Sequence, residues 1–114
     1  NLVDFDMKYG HRNDVPGYAA AATEFDNFLT SFLPKMREED VLLITADHGC
    51  DPSTPSTDHS REYTPMLICG KSVKNGVNLG TRASFSDISA TVLEYFGVEQ
   101  SGTKGESFLK AVTK

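Results

Sequence analysis

Three short segments of this chain set carboxylates beside imidazoles. Asp6 and His11 stand across Met7-Lys8-Tyr9-Gly10, Asp47 and His48 sit within Thr45-Ala46-Asp47-His48-Gly49, and His59 lies in Thr57-Asp58-His59-Ser60-Arg61-Glu62. Aspartate oxygens and imidazole nitrogens together suit borderline divalent cations, zinc and manganese above all. Two aspartates and the chain's 3 histidines exceed what one four-coordinate structural site needs. They fit a two-metal site with open positions, which polarises a phosphate and stabilises both entering and leaving oxygens. A single loop histidine is ordinarily just solvated, so the weight rests on all five falling together. Asp4, Asp51 and Asp58 read as local hydrogen-bonding or turn-capping groups, and Arg61 and Glu62 as a surface pair worth little.

Elements must bring these residues to one place. Residues 1–6 read as a strand ending in carboxylates, and residues 40–46, around the apolar run Val41-Leu42-Leu43-Ile44, as a second strand of the parallel-sheet type. Residues 63–69 form a third, stopped by Gly70. Between the first two, apolar residues from Tyr18 to Leu33 recur at 3- and 4-residue steps. That spacing is an amphipathic helix of about five turns, opening near Pro16 and closing at 34–37, with its phenylalanine stripe in the core. A second helix is expected over 85–96, capped by Ser84 or Ser86 and closed by Gly97, and a short one over 106–112. Residues 71–80, with Asn75-Gly76, suit a short hairpin. The remaining tract, 47–61, carries Pro52 and Pro55 and no helical period; loops of that length are usually functional. The fold expected is α/β, a mostly parallel sheet flanked by helices. The candidate ligands then collect at the carboxyl edge of the sheet, where such folds bind ligands.

At 114 residues the chain is one domain at most. Its net charge of −5 argues against nucleic acid, which needs a basic face. No apolar run approaches the ~20 residues of a membrane span, and nothing resembles a signal peptide. Cys50 and Cys69 are too few for a disulfide scaffold, so reduced thiols and a cytoplasmic setting are expected. The chain opens on Asn1 inside an apolar run, and three strands make a small sheet with open edges. Both features are those of part of a larger α/β domain.

Asp6-Met-Lys-Tyr-Gly-His11, Thr45-Ala-Asp47-His48-Gly-Cys-Asp and Ser56-Thr-Asp-His59-Ser-Arg-Glu together resemble the C-terminal metal-binding part of the phosphopentomutase family, within the alkaline phosphatase superfamily. The resemblance runs through Arg82-Ala-Ser-Phe-Ser-Asp87-Ile and covers essentially residues 1–114. The Asp-His-Gly element is common to many members of the superfamily, whereas the tract from Asp47 to Glu62 is far more specific. The resemblance implies interconversion of ribose 1-phosphate and ribose 5-phosphate, and of the deoxyribose equivalents, with two manganese ions or other divalent cations. It implies that Asp47 and His48 hold one metal and that Asp6, His11 and His59 hold the other. The family's threonine nucleophile, a further metal-binding aspartate and the sugar-orienting cap domain have no counterpart here. The rest of the enzyme chain would be needed to complete the site, and the fragment alone is expected to be inactive. Two rivals stand beside this reading: another phosphoryl-transfer enzyme of the superfamily, such as a cofactor-independent phosphoglycerate mutase or a phosphodiesterase, and a non-catalytic metal-binding or assembly module.

Overall fold

The structure, a computed structural model, describes residues 1–102 and 104–114. The chain begins in helical turns, not in the expected strand. A wide π-helical turn, Phe5–Tyr9, runs into a tight 3-10 turn, Gly10–Arg12, and the Gly10 N–H reaches back to the carbonyls of Phe5 and Asp6. Extended residues need a neighbouring strand to satisfy their backbone groups, and none lies beside this segment among the described residues. Local turns meet that need instead.

Asp14 then caps helix α1, Val15–Phe32, accepting a 2.9 Å bond from the Gly17 N–H, with Pro16 in the first turn where it costs no hydrogen bond. A 3-10 turn, Leu33–Lys35, ends it at Pro34 as the sequence predicts. The phenylalanine stripe does not enter a core. Among the described residues α1 buries no side chain, and Phe25, Phe28 and Phe32 stack on one another at 6.2 and 5.4 Å. The helix packs mainly on the N-terminal turns, through an edge-on contact of Tyr18 with Phe5, and among the described residues no other element packs closely on the stripe.

Strands β1, Val41–Thr45, and β2, Met66–Gly70, pair antiparallel, with Leu43 opposite Ile68 and Thr45 opposite Met66. This corrects the expected parallel sheet. Adjacent parallel strands need a long crossover, usually a helix, and the 46–65 connection contains none; it folds back on itself through an isolated bridge between Gly49 and Ser60. The architecture is therefore helices with a small two-stranded antiparallel sheet.

One face of that sheet meets the core. Val73, Phe108 and Val112 are buried, with Leu43, Met66, Ile68, Leu79 and Ile88 packed around them. Helix α2, Ser86–Tyr95, turns Asp87, Ala90 and Thr91 inward. It starts where Ser84 receives the Ser86 N–H on its hydroxyl, and closes in a Schellman motif, Gly97 N–H to Glu94 O and Val98 N–H to Leu93 O. No hairpin forms at 71–80. Val73 bridges Thr113 instead, and Lys74 N–H donates to Val112 O at 2.7 Å, tying down the short helix α3, Leu109–Val112.

Candidate metal centre

The N-terminal turns, the end of β1 and the 51–61 loop converge at one point, and the point is a single oxygen. Asp6 Oδ1 is buried and, among the described residues, without a hydrogen-bond partner. Around it stand three imidazole nitrogens: Nε2 of His11 at 3.3 Å, of His59 at 3.3 Å and of His48 at 3.6 Å. The rings of His48 and His59 stack at 3.6 Å, and that of His11 tilts against His59 at 5.0 Å.

Backbone carbonyls decide which nitrogen of each ring carries hydrogen. His11 Nδ1 faces the carbonyl of Thr57, and His48 Nδ1 faces that of Gly49 at 3.1 Å. A carbonyl only accepts, so Nδ1 of both rings must be the N–H. In the neutral rings Nε2 then presents a lone pair to a carboxylate oxygen. Lone pairs facing a buried anion repel, so a positive charge is required between them. This is how metal-ligating histidines are oriented, with the far nitrogen bonded to a carbonyl and the near one free. Ligand atoms of Asp6, His48 and His59 lie within 4.8 Å of one another, a spread one cation can span. On this geometry the donor set fits a divalent metal.

Each sequence-predicted residue can now be placed. Asp6 sits in the π-helical turn, not at a strand end, and His11 in the 3-10 turn after it. His48 directly follows β1, and His59 lies near the end of the loop. Asp47 stands apart: its carboxylate is 92% exposed and, among the described residues, reaches only His48, Oδ1 to Nε2 at 3.6 Å. The tightest group draws His48 together with Asp6 and His59, so His48 faces both halves of the expected ligand division. Asp4 does not join the site but pairs with Lys8 at the surface, whereas Asp51 closes a turn, accepting from Ser53 N–H at 2.9 Å and Ser53 hydroxyl at 2.6 Å. Arg61 and Glu62 form no ion pair among the described residues.

Two residues that are not themselves ligands build this convergence. Gly49 lies where a Cβ would meet Ser60 O at 2.5 Å and the Glu62 backbone at 2.6 Å. Only a residue without a side chain lets the two chain segments close enough to stack His48 on His59. Asn13, in the left-handed conformation at φ 52°, aims its amide nitrogen at three carbonyls of the long loop. The signal for it was available, since asparagine is among the few residues that adopt that conformation readily.

Cys50 sits beside Gly10, half-buried. Burial pushes its thiol up, and the negative charges of Asp6, Asp51 and Glu62 add to the shift. It stays protonated near neutral pH and is a poor nucleophile. Cys50 and Cys69 are both free. From Asp47 and His48 a cleft of about 690 Å³ runs past Glu62 and Thr64 to Arg82, which gives the centre an open side. Among the described residues no helix is long and apolar enough to cross a membrane.

A family model described as the Metalloenzyme superfamily matches residues 1–100. The phosphopentomutase of Lachnoclostridium phytofermentans is 63% identical over 114 residues, all of this chain and 29% of its own length. That of Acetivibrio thermocellus is 60% identical over 112 residues, 98% of this chain and 29% of its own length, and that of Clostridium kluyveri 54% identical over 114 residues. The chain thus spans 29% of the length of these curated relatives.

Proposed function

We propose, for a chain that belongs to the Metalloenzyme superfamily, that it supplies most of the ligands of a dinuclear metal centre in a phosphopentomutase, an isomerase that interconverts ribose 1-phosphate and ribose 5-phosphate and their deoxyribose equivalents. The observation that carries this reading is the set of three Nε2 atoms turned on the buried, unpartnered Asp6 Oδ1. Asp6, His11 and His59 hold one ion; Asp47 and His48 hold the other, with His48 close enough to Asp6 to lock the two half-sites together. Manganese suits this nitrogen and carboxylate set, as do neighbouring divalent ions. Bound cations of this kind polarise phosphate oxygens and stabilise the charge that develops on transfer.

The chain's own groups shape what the site accepts. Asp6 and Asp47 contribute two negative charges against the four of two divalent ions, so the remaining field favours a phosphate dianion. Asp47, exposed at the mouth of the cleft, can swing toward a ligand without breaking a hydrogen bond, whereas Asp6 Oδ1 is buried among the three imidazoles. The Thr57 and Gly49 carbonyls hold the rings of His11 and His48 in register, so neither must reorient when substrate arrives. The phosphoryl-carrying threonine, the remaining aspartate and the sugar-orienting domain belong to the rest of a polypeptide of the relatives' length, in which residues 1–114 form the C-terminal part of the core domain. The free thiols fit a cytoplasmic setting.

Two measurements on that complete polypeptide test the proposal. Anomalous scattering from manganese-soaked crystals should give two peaks, one against Asp6, His11 and His59 and one against Asp47 and His48. Ribose 1-phosphate should be converted to ribose 5-phosphate, with activity lost on chelation and restored by manganese. Failure of pentose phosphate turnover in metal-loaded protein that does turn over a phosphoglycerate or a phosphodiester would overturn it.

A further inference from the structure

The loop that carries His59 has almost no apolar anchor, and yet His59 is held against two other rings. One side chain gathers most of the loop. Asn13 Nδ2 lies 2.7 Å from Thr54 O, 3.0 Å from Ser56 O and 3.2 Å from Pro52 O. Carbonyls of alternate residues thus curl around one amide nitrogen, which has two hydrogens for three acceptors. Without it, three like dipoles would face one another across a small gap. The next carbonyl along, that of Thr57, accepts from His11 Nδ1. The loop then returns to the sheet through Ser60 N–H to Gly49 O at 3.1 Å, and His59 lies between these two attachments.

We propose that Asn13 is a positioning residue for the metal held by Asp6, His11 and His59, setting both histidines at once. It places His59 by fixing the path of residues 52–56 and places His11 by holding the Thr57 carbonyl where the ring's N–H meets it. The coupling runs both ways, since the segment that bears His11 holds the loop and the loop orients His11. This inference rests on the dinuclear reading above and assigns a determinant of one half of that site.

Asn13→Gly in the complete polypeptide is the deciding variant. Glycine tolerates φ 52° without strain, so a purely conformational role would leave metal binding intact. Loss of the clamp should instead weaken manganese at the Asp6 site by about 10- to 100-fold, the range typical for outer-shell partners, and weaken the Asp47 site far less. Site-resolved anomalous occupancy at limiting manganese reads the two separately, and a solution titration followed by the free-manganese spin resonance gives the affinities. Asn13→Asp, which keeps the backbone preference but turns an oxygen on the carbonyls, should bind at least as weakly as the glycine variant. Parent protein that binds two ions while Asn13→Gly binds them equally well overturns this inference alone. Equal weakening of both ions, alongside a lowered melting temperature of the metal-free protein, also overturns it by showing a general structural role. Parent protein with no ion at Asp6 overturns the dinuclear reading and this inference with it.

Discussion

The two ends of the molecule are held together by opposite means. At the α2 end, Val73, Phe108 and Val112 exclude water and a polar network is fully paired beneath them: Asp87 accepts from Glu106 N–H at 2.9 Å and Arg82 Nε at 2.7 Å, while Thr91 joins Asp87 O to Phe108 N–H. At the metal end almost nothing apolar is buried. The loop is tied down by side chains bonding to backbone, and its central oxygen has no partner. Among the described residues, the first end leaves no buried side-chain nitrogen or oxygen without a hydrogen-bond partner. The second leaves one carboxylate oxygen facing imidazole nitrogens with no hydrogen-bond partner, an arrangement that a bound divalent cation would complete. A binding site of this kind keeps an unmet need, and the paired end supplies the stability that lets it do so.

That contrast can be broken from either side. The largest effect on folding should come from Phe108→Ala, which opens a cavity at a residue only 3% exposed. A loss of about 3–5 kcal/mol is expected in urea unfolding of the complete polypeptide, with manganese affinity unchanged in the fraction that remains folded. Asp6→Asn should do the reverse. Manganese affinity falls by more than the ~100-fold that an outer-shell loss can cost. The metal-free protein melts no lower than the parent, because the removed charge had no hydrogen-bond partner to lose. A metal-free melting temperature well below the parent's would erase the distinction drawn between the two ends. Gly49→Ala falls between them. Its methyl group would press on the Ser60 and Glu62 backbone, costing about 1–3 kcal/mol and separating His48 from His59, so stability and metal binding should drop together. The smallest effect is confined to acid. Glu106 N–H, and then Arg82, hold the Asp87 carboxyl below the usual carboxylate range. Its contribution is therefore present above the unfolded value and lost as pH falls below about 4. The urea midpoint of Asp87→Asn should fall less steeply than the parent's between pH 5 and pH 3. Parallel slopes would show that the network adds no pH-dependent stability.

How far the sequence revealed this structure follows the range of each interaction. α1, α2 and both strands were legible because 3.6-residue spacing, apolar runs, Pro16, Pro34 and Gly97 act within a few residues of themselves. Strand direction was not, since it depends on what lies between strands, and the 46–65 connection carries no helix to cross over. The phenylalanine stripe was read by its period, and period says which face is apolar without saying what covers it. Residues 1–6 look extended by composition, yet turn because no partner strand receives them. At the site, ligand types and their common neighbourhood could be read from Asp6, His11, Asp47, His48 and His59. The residue types of Gly49 and Asn13 suggest turns, but the contacts they make could not be read, because each acts through backbone more than ten residues away, at Ser60 and at Pro52 to Ser56.

The widened turn at Phe5–Tyr9 has one more consequence, and it concerns chain length. At 3.6 residues per turn, side chains five apart face directions about 140° apart and would not meet. Asp6 and His11 stand five apart and come within 3.3 Å because the wide turn passes into a tight one between them. The count of residues in this segment is thus itself a ligand-positioning element. Many substitutions at Met7 or Lys8, whose side chains lie at the surface, leave the count intact; a single insertion or deletion there re-phases the turn and aims His11 away from the oxygen it serves.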